Sequence, residues 1–364
     1  MNSRSQISLS GSALRNNYRI LSKKVPHLGM IPMVKADAYG HGSGFVGRIL
    51  SRDKNTFSLG VATLEEGMRL REALGDVRMP IIVFSDSAPW SPEQARFCIR
   101  HQLEPVFSEI SSLLAFQADR HSRLIQAHVE FNTGMNRLGI PPESISLIRF
   151  YPKSVFTHLS DADLPACGRT DRQIRTFSRL VPELRSRFPR TLLHFANSSA
   201  IWNHRSFPLL KQMDLARPGL SLYGIRPFEE AKDDGLRRVM RFTTKVINRI
   251  FLEPGDRVGY GGTYQCKNPK GEWIGILGAG YADGVFRSLG NQGVAYHGSK
   301  KLRFKGRVSM DLSSIEGYSR MKIGDEVELW GDRVDPYEQS ILAGTIPYEI
   351  TTRIGNRVER KYES

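Results

Sequence analysis

The sequence predicts an α/β protein: an N-terminal (β/α)8 barrel of the TIM type followed by a second, mostly β domain. Three observations predict it. Through the first two-thirds of the chain, short apolar runs alternate with amphipathic helical patterns. Beyond about Arg226 the texture changes to strand-like runs separated by Gly-rich turns. At 364 residues the chain is long for one domain and sufficient for two.

The eight barrel strands are expected, in order, at 30–35, 58–62, 80–84, 103–106, 124–131, 154–158, 192–195 and 212–215. Between them, segments such as 64–74 and 172–185 repeat apolar residues at helical spacing, and each strand is expected to be followed by a helix. In the second part, 239–252, 273–278, 293–296, 301–308 and 326–330 read as strands, with no helical pattern until after Asp335. The charged stretch 229–238 is expected to link the two parts. This gives a barrel domain over 1–230 and a β domain over 231–364.

Composition narrows the function classes. With 40% hydrophobic and 24% charged residues the chain has ordinary globular usage and ample material for a core. A formal net charge of +15 invites a nucleic-acid reading, but Lys and Arg are scattered and form no long run. No helix-turn-helix, finger or aromatic RNA-binding signature accompanies them, so no nucleic-acid partner is expected. Cys98, Cys167 and Cys266 lie far apart and show neither CxxC nor zinc spacing. No metal site is expected, and a reduced, cytoplasmic compartment is the simplest reading. The N-terminus lacks an apolar leader and no run is long enough to span a bilayer, so no membrane association is expected.

The densest chemical signal is Val34-Lys35-Ala36-Asp37-Ala38-Tyr39-Gly40-His41-Gly42. Lys35 ends an apolar strand, at the end of a barrel where such folds keep their chemistry. A partly desolvated lysine there loses its proton more easily and can form a Schiff base. By itself it also reads as a surface lysine after a buried strand. Asn197-Ser198 follows a strand and opens a helix-like stretch, a geometry that offers N–H groups and a hydroxyl to an anion. Gly219-Leu220 follows the eighth strand, where a missing side chain lets backbone amides approach a phosphate. Singly, these read equally as a helix cap and a turn glycine.

The string around Lys35 resembles the cofactor-attachment segment of alanine racemases. The resemblance continues through TGMNRLG (133–139), THLSDAD (157–163), FANSSA (195–200), ARPGLSLYG (216–224), VGYGGTY (258–264), GYADG (280–284) and GRVSMDL (306–312), covering almost the whole chain. It implies a homodimeric, pyridoxal-5'-phosphate-dependent enzyme that interconverts L-alanine and D-alanine, the latter for peptidoglycan. By this resemblance Lys35 holds the cofactor as an internal aldimine and later acts as one catalytic base. Tyr39, Asn197, Ser198, Gly219 and Leu220 surround the cofactor, mostly at its phosphate, and His158 links Arg217 to the second base. Arg217 faces the pyridine nitrogen. An arginine stays protonated, so the ring becomes a weaker electron sink, which limits transamination.

Racemisation removes a proton from one face of Cα and delivers one to the other, so two groups on opposite sides are needed. The resemblance makes Tyr260 the second base, entering the barrel mouth of the neighbouring subunit. Ionising a free tyrosine at pH 7 costs roughly 4 kcal/mol, which the site must offset. Tyr281 and the Met310 N–H come from the same neighbouring chain, with Tyr281 at the entrance, Met310 at the substrate carboxylate and Asp311 shaping the loop. Arg137 binds that carboxylate and the cofactor's phenolic oxygen. Many relatives carry a carbamylated lysine at the position of Glu130. Here a carboxylate is encoded directly, and Glu130 is expected to orient Arg137 without an adduct. Ser309 replaces a frequent cysteine, and Asn136 a glycine of some members. Asn356 stands where some members are expected to carry a phosphate-adjacent tyrosine.

Three rivals share part of this pattern. A racemase of serine or another small amino acid differs only in the pocket around Tyr281. A decarboxylase of the same fold type is disfavoured by Arg217, since such enzymes place a carboxylate at the pyridine nitrogen. A non-catalytic cofactor carrier is disfavoured by the β domain bearing Tyr260.

Overall fold

The structure, a computed structural model, describes residues 3–164, 168–228, 231 and 235–363. Cys167 and most of the expected linker (Glu229, Glu230 and 232–234) lie outside the described residues. The chain opens on strand β1 (Ser5–Ser10), in which Ile7 and Leu9 are buried while Gln6 and Ser8 are partly exposed. The Ser10 hydroxyl then caps helix Gly11–Lys24 by accepting from the Ala13 N–H at 3.2 Å.

Eight parallel strands follow: β2 (Gly29–Met30), β3 (Leu59–Val61), β4 (Ile81–Val83), β5 (Leu103–Phe107), β6 (His128–Glu130), β7 (Ser154–Phe156), β8 (Leu192–Ala196) and β9 (Leu215–Ala216). Neighbours in sequence pair from β3 to β9, and β9 pairs with β2. Parallel bridges Met30–Thr56 and Met33–Gly60 close the ring. Every expected barrel strand is present, mostly shortened. The first loses most: pairing is regular only at Gly29–Met30, because Pro32 lacks an N–H and Lys35 opens a turn. Helix Leu64–Leu74 falls where expected, and 172–185 lies inside helix Gly168–Arg187. Not every strand is followed by an α-helix: β6 leads to the 3-10 turn Pro142–Leu147 and β9 to the 3-10 turn Leu220–Tyr223. The N-terminal helix Gly11–Lys24 packs against the turn after β9.

The second sheet is built on β10 (Met240–Leu252), long enough to serve two sets of neighbours. Its first half pairs with β1 and with β17 (Glu326–Trp330), and its second half with β13 (Glu272–Leu277). The short β11 (Arg257–Val258) and β12 (Tyr264–Gln265) form a separate hairpin between β10 and β13. β14 (Val294–His297), β15 (Lys300–Arg303), β16 (Ser313–Glu316) and β18 (Glu359–Glu363) complete the set. Sequence reading missed β1, β11, β12, β16 and β18. The N-terminal strand also amends the expected division at residue 230, since β1 lies between β10 and β18 in the second sheet. Its alternating pattern suits a sheet with one covered face, which a barrel strand is not.

Two helices after Asp335, Pro336–Ala343 and Pro347–Thr352, bring the C-terminal region back over the barrel mouth. Contact is closest at Gly40, where φ is +82° and a Cβ would lie 2.2 Å from the Thr351 carbonyl oxygen. Only glycine fits that backbone and that gap. Among the described residues no helix is long and apolar enough to cross a membrane.

Candidate active site

A cavity of about 250 Å³ opens at the C-terminal ends of the barrel strands. Its wall contains every barrel residue singled out above: Lys35, Tyr39, Glu130, Arg137, His158, Asn197, Ser198, Arg217, Gly219 and Leu220. Met33, Phe84 and Phe156 add apolar surface, and Tyr348 joins from the β domain.

Lys35 does not continue a strand. It begins a tight turn in which Ala36, Asp37, Ala38 and Tyr39 all take left-handed backbone angles, with φ from 50° to 56°. For L-residues that conformation costs roughly 1–2 kcal/mol each, so neighbours must impose it. Glu66 does so by accepting from the Ala36 N–H at 2.7 Å, and its other oxygen accepts from Ala62 at 2.7 Å. The Asp37 carboxylate accepts from the Ser43 N–H at 2.7 Å, and the buried His41 ring lies 3.0 and 2.9 Å from the Ala38 and Tyr39 carbonyls. The turn carries the Lys35 ammonium into the cavity. Burial lowers its pKa, and the charges of Arg137 and Arg217 push the same way against the pull of Glu66.

Arg217 is 3% exposed and sits over the Phe156 ring, its guanidinium 4.6 Å from the centroid. It donates to the Thr157 carbonyl at 2.9 Å and contacts the ring nitrogens of His194 and of His158, the latter at 3.3 Å. Burial lowers its pKa to about 10, with Glu130 opposing and Arg137 assisting, so it stays cationic near neutrality. Burial, then Arg217, Arg137 and Lys35, hold the His158 ring well below the usual imidazole value and hence neutral. Glu130 is 5% exposed. Burial raises its pKa to about 6, and the charges of Arg217 and Arg137 moderate the rise. Among the described residues no direct hydrogen bond or ion pair joins Glu130 to Arg137, and the Arg137 charge acts on the Glu130 carboxylate through space.

At the opposite wall, Asn197 caps the short helix Ser198–Trp202 by accepting from the Ala200 N–H at 3.0 Å. The Ser198 hydroxyl accepts from the Gly219 N–H at 2.9 Å. A Cβ on Gly219 would stand 2.6 Å from the Tyr39 hydroxyl. The missing side chain therefore keeps open a cradle of two hydroxyls and backbone amides, suited to a phosphate. Tyr348 completes this corner, its ring 5.9 Å from that of Tyr39. Asn356 is exposed and absent from the cavity wall, so the expectation that it occupies the tyrosine position is corrected to Tyr348. The signal for Tyr348 was there, a tyrosine after proline near the C-terminus, but no spacing tied it to the barrel. Glu66 and His194 were also missed, because a helix-borne glutamate and a strand-borne histidine look structural in a sequence.

The remaining predicted residues lie elsewhere in this chain. Tyr260 begins the turn Tyr260–Gly262 and is 72% exposed; Met310 is 54% and Tyr281 44% exposed. None lines the cavity. The Tyr281 and Met310 loops are joined: the Tyr281 and Ala282 N–H groups donate to the Ser309 and Met310 carbonyls at 3.0 and 2.9 Å. Arg357 clamps them, donating to both oxygens of Asp283 at 2.6 and 2.8 Å and to Asp311 at 2.6 Å.

A phosphate cradle, a lysine whose pKa is lowered by burial and a buried arginine, all lining one cavity, define a pyridoxal-phosphate-dependent enzyme on a (β/α)8 barrel. Comparison with known proteins agrees. The family model for the alanine racemase N-terminal domain matches residues 9–227, and that for the C-terminal domain matches residues 239–362. The alanine racemase of Neisseria meningitidis is 36% identical over 352 residues, 94% of each chain. The structure of alanine racemase from D-cycloserine-producing Streptomyces lavendulae superposes with a TM-score of 0.89 at 27% identity, covering 100% of this chain and 98% of that one. That of Bartonella henselae, which carries covalently bound pyridoxal phosphate, gives 0.86 at 25% identity, covering 99% and 100%. The chain belongs to the alanine racemase family. Its activity is the interconversion of L-alanine and D-alanine, with pyridoxal phosphate as cofactor.

Proposed function

We propose that Lys35 and Tyr260 carry the Cα proton on opposite faces of alanine, and that the two come from different copies of the chain. The observation that carries this reading is the separation just described: a lysine primed for deprotonation inside the cavity, and a tyrosine 72% exposed outside it. The cavity residues fit pyridoxal phosphate. Lys35 would hold it covalently, Tyr39, Ser198, Gly219, Leu220 and Tyr348 would hold its phosphate, and Arg217 would face its ring nitrogen. Bound there, the cofactor supplies an electron-withdrawing ring that acidifies the Cα–H of an attached amino acid.

The chain's own groups do the rest. The Lys35 amine, neutral more readily than a free lysine, takes or returns a proton at Cα on one face. The Tyr260 hydroxyl of a second copy does so on the other. Arg217 stays charged and withholds a proton from the ring nitrogen, and neutral His158 donates or accepts beside it. Arg137, with the Met310 N–H of the second copy, binds the substrate carboxylate. Asp311 supports that loop and Tyr281 narrows the entrance. Such an exchange of faces requires a C2 dimer. The division near residue 230 separates the part that holds cofactor from the part that completes the neighbour's site. A cytoplasmic enzyme supplying D-alanine for peptidoglycan is the corresponding cellular role.

The test is complementation. Incubation with L-alanine in D2O should give loss of optical activity together with Cα deuteration. Lys35→Ala and Tyr260→Phe chains, each nearly inactive, should recover about a quarter of wild-type activity when unfolded and refolded together, because each mixed dimer holds one intact site. No recovery in properly mixed dimers would place both bases in one chain.

A further inference from the structure

We propose that Glu104, at the end of the barrel away from the cavity, is a positioning residue for Arg217, acting through an unbroken line of buried hydrogen bonds along the barrel interior. The inference rests on the reading of Arg217 as the group facing the cofactor nitrogen.

The line begins where Arg217 Nη1 meets His194 Nδ1. His194 Nε2 lies 2.9 Å from Ser154 Oγ, and Ser154 Oγ 2.7 Å from His128 Nδ1. His128 Nε2 lies 3.1 Å from Glu104 Oε2, and Lys153 Nζ donates to Glu104 Oε1 at 2.6 Å. Strand register shows that the line descends. His194 is level with Phe156, two residues above Ser154; Ser154 is level with His128; and His128 is level with Val106, two residues above Glu104. His194, Ser154 and His128 are fully buried, whereas the Lys153 side chain is 23% exposed. The line thus joins the cavity floor to the opposite rim.

Chemistry gives it one direction. Arginine has no acceptor, so His194 Nδ1 must be bare. Burial, reinforced by Arg217, keeps His194 neutral, so its single proton sits on Nε2 and points at Ser154. The Ser154 hydroxyl then donates to His128 Nδ1. Burial also keeps His128 below the usual imidazole value against the pull of Glu104, so its proton sits on Nε2 and points at Glu104. The Glu104 carboxylate ends the line: burial opposes its ionisation, but the hydrogen bond from His128 and the hydrogen bond and charge of Lys153 together outweigh it. Every donor faces Glu104 and every acceptor faces Arg217. Reversal would bring a His194 N–H against an Arg217 N–H. A carboxylate at the far rim therefore keeps an acceptor in front of Arg217, and bonds in such a line polarise one another in the same sense.

The test exploits the near-isosteric Glu104→Gln. Lys153 will hold the amide oxygen, which turns the NH2 group toward His128 and reverses the line. In 15N-histidine-labelled holoenzyme, nitrogen NMR should find His128 and His194 protonated at Nε2 in the wild type and at Nδ1 in E104Q. The kcat for racemisation should fall roughly 10-fold, with KM for alanine little changed, because Arg217 loses a buried acceptor. Adding Lys153→Met frees the amide to present its oxygen to His128, so E104Q/K153M should regain both the wild-type tautomers and the rate. A loss due only to packing would not be rescued in this way. Nδ1 protonation of either histidine in the wild type would overturn the proposal. Tautomers that reverse in E104Q while kcat holds would instead overturn the assignment of Arg217 to the cofactor.

Discussion

The barrel mouth and the exposed face of the β domain, to which we assign two halves of one chemical task, are built by different physical means. At the mouth the decisive groups are enclosed, with Arg217 3% and Glu130 5% exposed, and each charge is tuned by burial and by its neighbours. On the β-domain face Tyr260, Met310 and Tyr281 stand in or near solvent, and Arg357 clamps the loops that carry Tyr281 and Met310. The first half is preorganised within a single chain. The second is unenclosed in one chain, and under the proposed two-chain site it is a second copy's barrel mouth that desolvates it. The contrast explains why the same molecule needs strained backbone at Lys35 and only ordinary turns at Tyr260.

The contrast can be broken or sharpened experimentally. The largest effect belongs to Lys35→Ala, which should abolish covalent cofactor attachment and all racemisation; retention of the bound-cofactor absorbance would remove Lys35 from its role. Next, Tyr260→Phe should slow the L-to-D direction by roughly two to four decades while leaving the cofactor absorbance intact. Exchange of the Cα proton begun from D-alanine should survive better, and equal loss from both enantiomers would erase the distinction between the two faces.

Glu130→Gln probes the enclosed half. The folded-state pKa of Glu130, about 6, lies above its ordinary 4.5, so the fold favours the protonated form. Its contribution to stability is complete below about pH 4.5 and is lost as pH rises through 6. In cofactor-free protein the variant should match the wild type at low pH and exceed it by about 2 kcal/mol above pH 7, measured by urea unfolding. A pH-independent difference would mean that Glu130 is not desolvated. The smallest effect is expected on the exposed half. Arg357→Ala should loosen the Tyr281 and Met310 loops and raise KM for alanine by roughly 10-fold, since small misplacements are felt in rate. An unchanged KM would mean that the loops hold their shape without the clamp.

Much of this molecule was legible in its sequence, for identifiable reasons. Barrel strands are short apolar runs between helical patterns, so periodicity located all eight, and helix Leu64–Leu74 announced itself by its apolar spacing. The cavity residues were legible because their motifs are local and because strand ends in this fold converge. The N-terminal strand was not, since its place beside β10 depends on a partner more than two hundred residues away. Nor was the left-handed turn at Ala36–Tyr39: alanine, aspartate and tyrosine do not ask for that backbone, and only Glu66, Asp37 and His41, assembled around it, impose it. Tyr348 and the line from Arg217 to Glu104 were hidden for the same reason. Sequence by itself determined the local periodicities and the motifs that carry the groups we propose as reactive, because those depend on residues near one another in the chain. Tertiary structure alone decided which distant groups meet, how far each is buried and therefore which charge it bears, because desolvation and hydrogen bonding are set by neighbours that no local spacing names.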